Sequence, residues 1–196
     1  EQSGAVETVM GARSGLFYLF GVTGSGKTEV FLQCAERVIS QGGQVIYLVP
    51  EITLTHQLAV QVMERFKNNV AILHSGLTDS QRIAQWRRIK RSEVSLVIGA
   101  RSAVFAPCEN LRMIIIDEEH ENSYKSGNDP RYHARQVAQK RIADCHGKLL
   151  MGSATPSLEA WHLMKNPSRM TRIDLTSRVG GGCMPKVEIA DMTHED

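Results

Sequence analysis

Short, nearly continuous apolar runs recur along the chain at 16–20, 44–49, 69–73, 95–98, 113–116 and 148–151. Each is too short for a helix and too uniformly apolar for a strand with one wet face, so each predicts a strand buried on both sides. The stretches between them, 27–41, 53–67, 78–91 and 133–145, place apolar residues at steps of three and four, the period of an amphipathic helix. Strand and helix therefore alternate, which predicts a doubly wound α/β domain around a parallel sheet.

The texture changes near the end. Residues 166–185 hold Pro167, Gly180-Gly181-Gly182 and Pro185, and 186–192 reads as the opening of another strand. The expected division is a nucleotide-binding lobe over 1–175 and, over 176–196, an exit linker with the start of a further lobe.

Composition narrows the class without choosing a function. With 196 residues, 42% hydrophobic and 22% charged, the chain can bury a full core and fits one domain. A net charge of +2 neither demands nor forbids a nucleic-acid partner. Cys34, Cys108, Cys145 and Cys183 lie singly, without the spacing of a zinc site or a paired thiol, and read as free thiols. No apolar run approaches the roughly 18 residues of a membrane span, and the start lacks the order of a signal peptide. The expectation is a cytoplasmic protein with no membrane partner.

The chemistry enters with the first strand, which runs into Gly21-Val22-Thr23-Gly24-Ser25-Gly26-Lys27-Thr28 and then a helix. This is G-x-x-x-x-G-K-[ST] in its confirming context. Glycines let backbone N–H groups wrap phosphates closely, and the following helix N-terminus adds partial positive charge. The expected ATP contacts are Gly21, Thr23, Gly24, Ser25, Gly26, Lys27 and Thr28, with Glu29 beside them. Lys27 reaches the β- and γ-phosphates, and Thr28 ligates Mg²⁺. The fifth strand ends in Asp117-Glu118-Glu119-His120, at the carboxyl edge where such sheets bind ligands. Asp117 is expected to hold Mg²⁺ and Glu118 to orient and deprotonate an attacking water. After the sixth strand comes Gly152-Ser153-Ala154-Thr155-Pro156. Alone it is a capped turn; in order with the other two it reads as an element passing a signal from His120 through Ser153 and Thr155.

GVTGSGKTEV, VPEITLT, HSGL, IGARSAVF, DEEH and GSATPS, in this order, resemble the motifs of superfamily 2 helicases, most closely the replication-restart helicases of bacterial primosomes. The details that narrow it are Val49-Pro50-Glu51-Ile52 and, after the acidic run, Tyr124-Lys125 and Arg131-Tyr132-His133-Ala134-Arg135. The resemblance implies a RecA-like lobe and ATP- and Mg²⁺-dependent 3′ to 5′ unwinding of DNA. It implies single-stranded and forked DNA, primosome proteins and single-strand-binding protein as partners, and zinc only in family parts outside this chain. It also places Gln2 in a first helix where it contacts adenine, or else stands as an exposed helix residue.

Candidate DNA contacts follow. Thr53 and Thr55 open a helix, where they cap it, hold a phosphate, or do both. Arg101 and Ser102, past the fourth strand, suit the same backbone track, the alternative for the arginine being a surface ion pair. The loop 121–133 interleaves Tyr124, Lys125, Arg131 and Tyr132 for base stacking, the alternative being tyrosines that pin the loop to the core. The basic run 87–91 reads as a solvated helix end and His74 as structural. A small-molecule kinase and a regulatory nucleotide-binding module are the rival readings. The first would have no use for 152–156, and the second none for Glu118. The motor class needs a second lobe with an arginine finger, so this chain alone is expected to bind nucleotide weakly and hydrolyse it little.

Overall fold

The computed structural model describes residues 1–50 and 56–179. Seven strands form one sheet among them: β1 Gly15–Gly21, β2 Gln44–Leu48, β3 Val70–Leu73, β4 Leu96–Gly99, β5 Leu111–Ile116, β6 Lys148–Ser153 and β7 Thr171–Leu175. Their order across the sheet is β3-β4-β2-β5-β6-β1-β7, and every pairing is parallel. The six strands expected from the apolar runs are present, with ends shifted by one or two residues.

Parallel pairing makes each crossover a helix, and alternate strand residues face opposite sides. Phe17 and Leu19 of β1, Val45 and Tyr47 of β2 and Met113 and Ile115 of β5 join one buried cluster. That cluster is covered by α1 Gln2–Gly11, α2 Lys27–Ser40 and α3 His56–Phe66. Tyr18, Ile46, Leu48, Ile114 and Ile116 join the other, under α4 Asp79–Lys90, α5 Ala134–Cys145 and α6 Leu158–Met164. The two-sided α/β architecture expected from the alternation is therefore the observed one.

Two departures from the sequence reading have clear physical reasons. Thr171–Leu175 lies in the Pro- and Gly-containing stretch 166–185, where the sequence reading placed no strand, yet it pairs with β1 from Phe17 to Gly21. As an edge strand it buries only Leu175 fully, so it never shows the unbroken apolar run of a central strand. The helices α1 and α6 also escaped the periodicity, because each contributes only two or three buried residues, Ala5, Val6 and Val9 in one and Ala160 and Met164 in the other. The strand expected at 186–192 lies outside the described residues.

Strand spacing at the far edge depends on Gly99. A Cβ there would stand 2.4 Å from the Leu73 carbonyl oxygen and 2.9 Å from the Ala103 Cβ. Gly99→Ala is expected to lose about 1–3 kcal/mol of stability through overpacking. A lower urea midpoint at unchanged slope is the result that checks this.

Candidate nucleotide site and its acidic box

Because all strands run the same way, the segments after β1, β5 and β6 meet at one edge. The loop after β1 turns on Gly24 and Gly26, at φ 78° and 83° in the left-handed region that side chains rarely adopt. Gly26 caps α2, so the helix begins at Lys27 with its N-terminus at the loop. Lys27 is buried, and its ammonium donates to the carbonyls of Gly21 at 2.9 Å and Val22 at 3.3 Å. The Ser25 hydroxyl is buried and among the described residues has no hydrogen-bond partner, an unmet polar group inside the cradle.

Gln2 neither stands exposed nor is it remote from the loop. Its side-chain amide donates to the Ser25 carbonyl at 3.0 Å, and a Cβ on Gly26 would fall 1.9 Å from that nitrogen. Glu29, expected beside the nucleotide, is engaged within the protein. Its carboxylate is bonded by Arg65 at 2.8 Å and by Gln33 at 2.8 Å, and so ties α2 to α3. A carboxylate beside a triphosphate would repel it, whereas the guanidinium of Arg65 neutralises the charge where it stands.

Asp117 directly follows β5 and is buried. The Tyr47 hydroxyl donates to its Oδ2 at 3.0 Å, the Glu118 N–H donates to its Oδ1 at 2.9 Å, and the Thr28 hydroxyl bonds the same Tyr47 phenol. Burial, then the neighbouring Glu118, push the Asp117 carboxyl up to about 6 against the opposing pull of Tyr47 and Lys27. A hydroxyl and a carboxylate meeting across one phenol are a fitting donor pair for Mg²⁺, and a dication there would offset the charge that burial disfavours.

Glu118 takes φ 43°, a left-handed conformation unusual for a residue with a side chain. The turn carries its carboxylate toward β6, where the buried Ser153 hydroxyl donates to Oε2 at 3.2 Å. That hydroxyl also lies 2.7 Å from His120 Nδ1 and accepts the Thr155 N–H at 3.0 Å. One hydroxyl has one proton and two acceptor positions, so all three bonds are satisfied when His120 carries its proton on Nδ1. Thr155 takes part through its backbone, and its side chain is exposed.

Glu119 was not singled out as a site residue, yet its carboxylate is fully enclosed. It pairs with Arg135 of α5 and accepts the Tyr18 hydroxyl at 3.2 Å, the Ser157 hydroxyl at 2.8 Å and the Ser157 N–H at 3.3 Å. Four groups from β1, α5 and the start of α6 thus fasten the acidic box. The local sequence holds no sign of this beyond the Ser157 cap, because the partners are 16 to 101 positions away.

The DNA candidates divide. Tyr124 is a correction: its ring is buried and its hydroxyl donates to the carbonyls of Asp117 at 2.6 Å and Leu48 at 3.2 Å. It pins the loop to the core, since a phenol can bury its ring and still satisfy its polar end. Arg101 forms no ion pair among the described residues; it donates to the carbonyls of Ser123 at 3.2 Å and Lys125 at 2.6 Å, with its guanidinium 5.7 Å above the Tyr132 ring. Ser102, Lys125 and Arg131 are exposed and Tyr132 half-buried. Thr53 and Thr55 lie outside the described residues.

The raised Asp117 pKa has a pH consequence. A carboxyl held above its ordinary value favours the protonated folded state, so stability falls as pH climbs from about 4 to 6 and is level above. Without nucleotide, Asp117→Asn should therefore be more stable than the parent at pH 7.5, by roughly 1–3 kcal/mol. The gain should fade as pH drops through 6; an equal difference in melting at pH 7.5 and pH 4 would contradict it. Arg135→Ala, which strands a buried charge, should cost about 3–5 kcal/mol, while Arg135→Met with Glu119→Leu should recover most of it in urea unfolding.

The chain is 54% identical over 198 residues to the replication restart protein PriA of Treponema pallidum, and 48% identical over 190 residues to that of Bacillus subtilis. These matches cover 100% and 96% of this chain but 30% and 23% of the relatives, so the chain spans less than a third of their length. Among solved structures, the helicase MrfA bound to DNA and AMPPNP matches with a TM-score of 0.64 at 20% identity, covering 88% of this chain and 26% of that one. RecG bound to a three-way DNA junction matches with a TM-score of 0.60 at 22% identity, covering 92% and 24%. Likeness at these identities speaks for the fold. The DEAD/DEAH box helicase family model matches residues 1–162, and the chain belongs to that family.

Proposed function

We infer that this chain is the ATP-binding first lobe of an ATP-dependent DNA helicase acting in replication restart, with 3′ to 5′ polarity by family resemblance. The observation that carries the reading is the meeting of a glycine-cornered phosphate loop with the Asp117–Glu118 pair, in a chain similar over its whole length to replication restart proteins. In this reading 1–175 form the lobe and 176–196 lead into a second one. Primosome proteins and single-strand-binding protein are the protein's partners by family resemblance, and zinc is expected only outside this chain.

Roles follow from the positions. The N–H groups of the loop and the α2 N-terminus receive the phosphates, and Lys27 exchanges its two carbonyl partners for phosphate oxygens. Thr28 and Asp117 would hold Mg²⁺, which neutralises charge developing on the phosphate oxygens. Glu118 orients a water and takes its proton, and Ser153 and His120 set the direction of its carboxylate. Gln2 holds the loop from above and stands near any base entering there. Arg101, Ser102, Lys125, Arg131 and Tyr132 form the DNA side, joined to the acidic box by the 121–133 loop, and Thr53 and Thr55 are assigned to DNA by family resemblance alone.

The test uses the full-length protein. Lys27→Ala should remove ATP hydrolysis stimulated by single-stranded DNA. Glu118→Gln should keep nucleotide binding while lowering turnover by at least about 100-fold, the scale of a lost general base. Undiminished turnover in either variant rejects the assignment.

A further inference from the structure

The basic end of α4 looks different once folded. Only Ile89 of this helix is fully buried, while Ile83 and Trp86 are 52% and 37% exposed. Steps of four place Arg82, Trp86 and Lys90 along one stripe, with Ile83 and Arg87 beside it. Trp86 is a shared wall between two adjoining depressions of roughly 410 and 460 Å³. The first opens where β3 and β4 end, against His74, Ser102 and Phe105, and the second is rimmed by Arg82, Arg87 and Lys90. Among the described residues no carboxylate lines either one, and those three cations are in no ion pair.

The first depression lies at the carboxyl edge of the sheet, the edge that carries the phosphate loop, and the second continues from it along α4. They also connect to the surface already assigned to DNA. Phe105 is 44% exposed and meets Tyr132 edge to face at 5.0 Å between ring centroids, under Arg101. Ring faces flanked by unpaired cations match a polynucleotide, whose bases stack on aromatics while its phosphates want positive charge. An apolar protein partner would have no use for the cations.

We propose that this groove is a base-stacking subsite for single-stranded nucleic acid. Trp86 and Phe105 supply the ring faces, and Arg82, Arg87 and Lys90 hold the backbone. The subsite rests on the reading of this lobe as part of a DNA motor, and it extends the DNA path outward from Tyr132 to α4.

The experiment measures binding of a fluorescein-labelled oligothymidylate to the full-length protein by anisotropy, at fixed salt and without nucleotide. Trp86→Ala with Phe105→Ala should weaken binding about 10- to 100-fold, the scale of one or two lost base stacks, with an unchanged melting temperature. Trp86→Phe should restore most of the affinity. A strand of abasic sites should bind the parent and the double variant alike, which a scaffolding role for the rings would not produce. Arg87→Gln and Lys90→Gln should each lower the slope of log affinity against log salt by about 0.7. Unchanged oligothymidylate affinity in the double variant, with tight binding by the parent, overturns the subsite and leaves the motor reading standing. No binding of any strand by the parent overturns both. Equal losses for the base-bearing and abasic strands, or loss of binding to an acidic peptide alone, also overturn the subsite.

Discussion

The parallel direction of the sheet is the constraint from which the site follows. Every strand delivers its following segment to the same edge, so segments spread over more than a hundred residues of chain, those after β1, β5 and β6, meet there, with Ser153 in hydrogen-bonding reach of Glu118. The strand order then decides neighbours. With β6 between β1 and β5, Ser153 stands beside the acidic box, and Tyr47 of the adjacent β2 reaches Asp117 from the other side.

That edge concentrates charge in a place with little water, and the protein manages it by enclosure. Lys27 is held on backbone carbonyls, Asp117 is held on a phenol and a backbone N–H, and Glu119 is surrounded by Arg135, Tyr18 and Ser157. Burying these groups is costly unless each is bonded, and most of the bonds come from different elements. The result is a pre-set arrangement in which Glu118 is the carboxylate left half-open, with its backbone bent to present it. A group placed this way costs little reorganisation when a water and a phosphate arrive.

The same bonds connect the box to its surroundings. Tyr124 anchors the loop that follows, Arg101 grips that loop from over the Tyr132 ring, and Phe105 passes the contact on toward α4. Packed side chains with defined partners are the physical means by which a shift on the outer surface could bear on Asp117 and Glu118.

The sequence by itself determined the alternation of strands and helices, the phosphate loop and the acidic box, because these depend on local periodicity and on residues close together in the chain. It left open what Tyr124 does, since a tyrosine in a loop reads the same whether its ring faces solvent or core. Glu29 likewise sits one position beyond the loop, and only the packing of α3 against α2 hands it to Arg65. The edge strand β7 was hidden because a half-wet strand buries too little to show a continuous apolar run. Enclosure of Glu119 and the apolar wall at Trp86 were decided by tertiary structure alone. Burial and partnership at those positions are properties of space, set by which elements the sheet brings together rather than by neighbours in the chain.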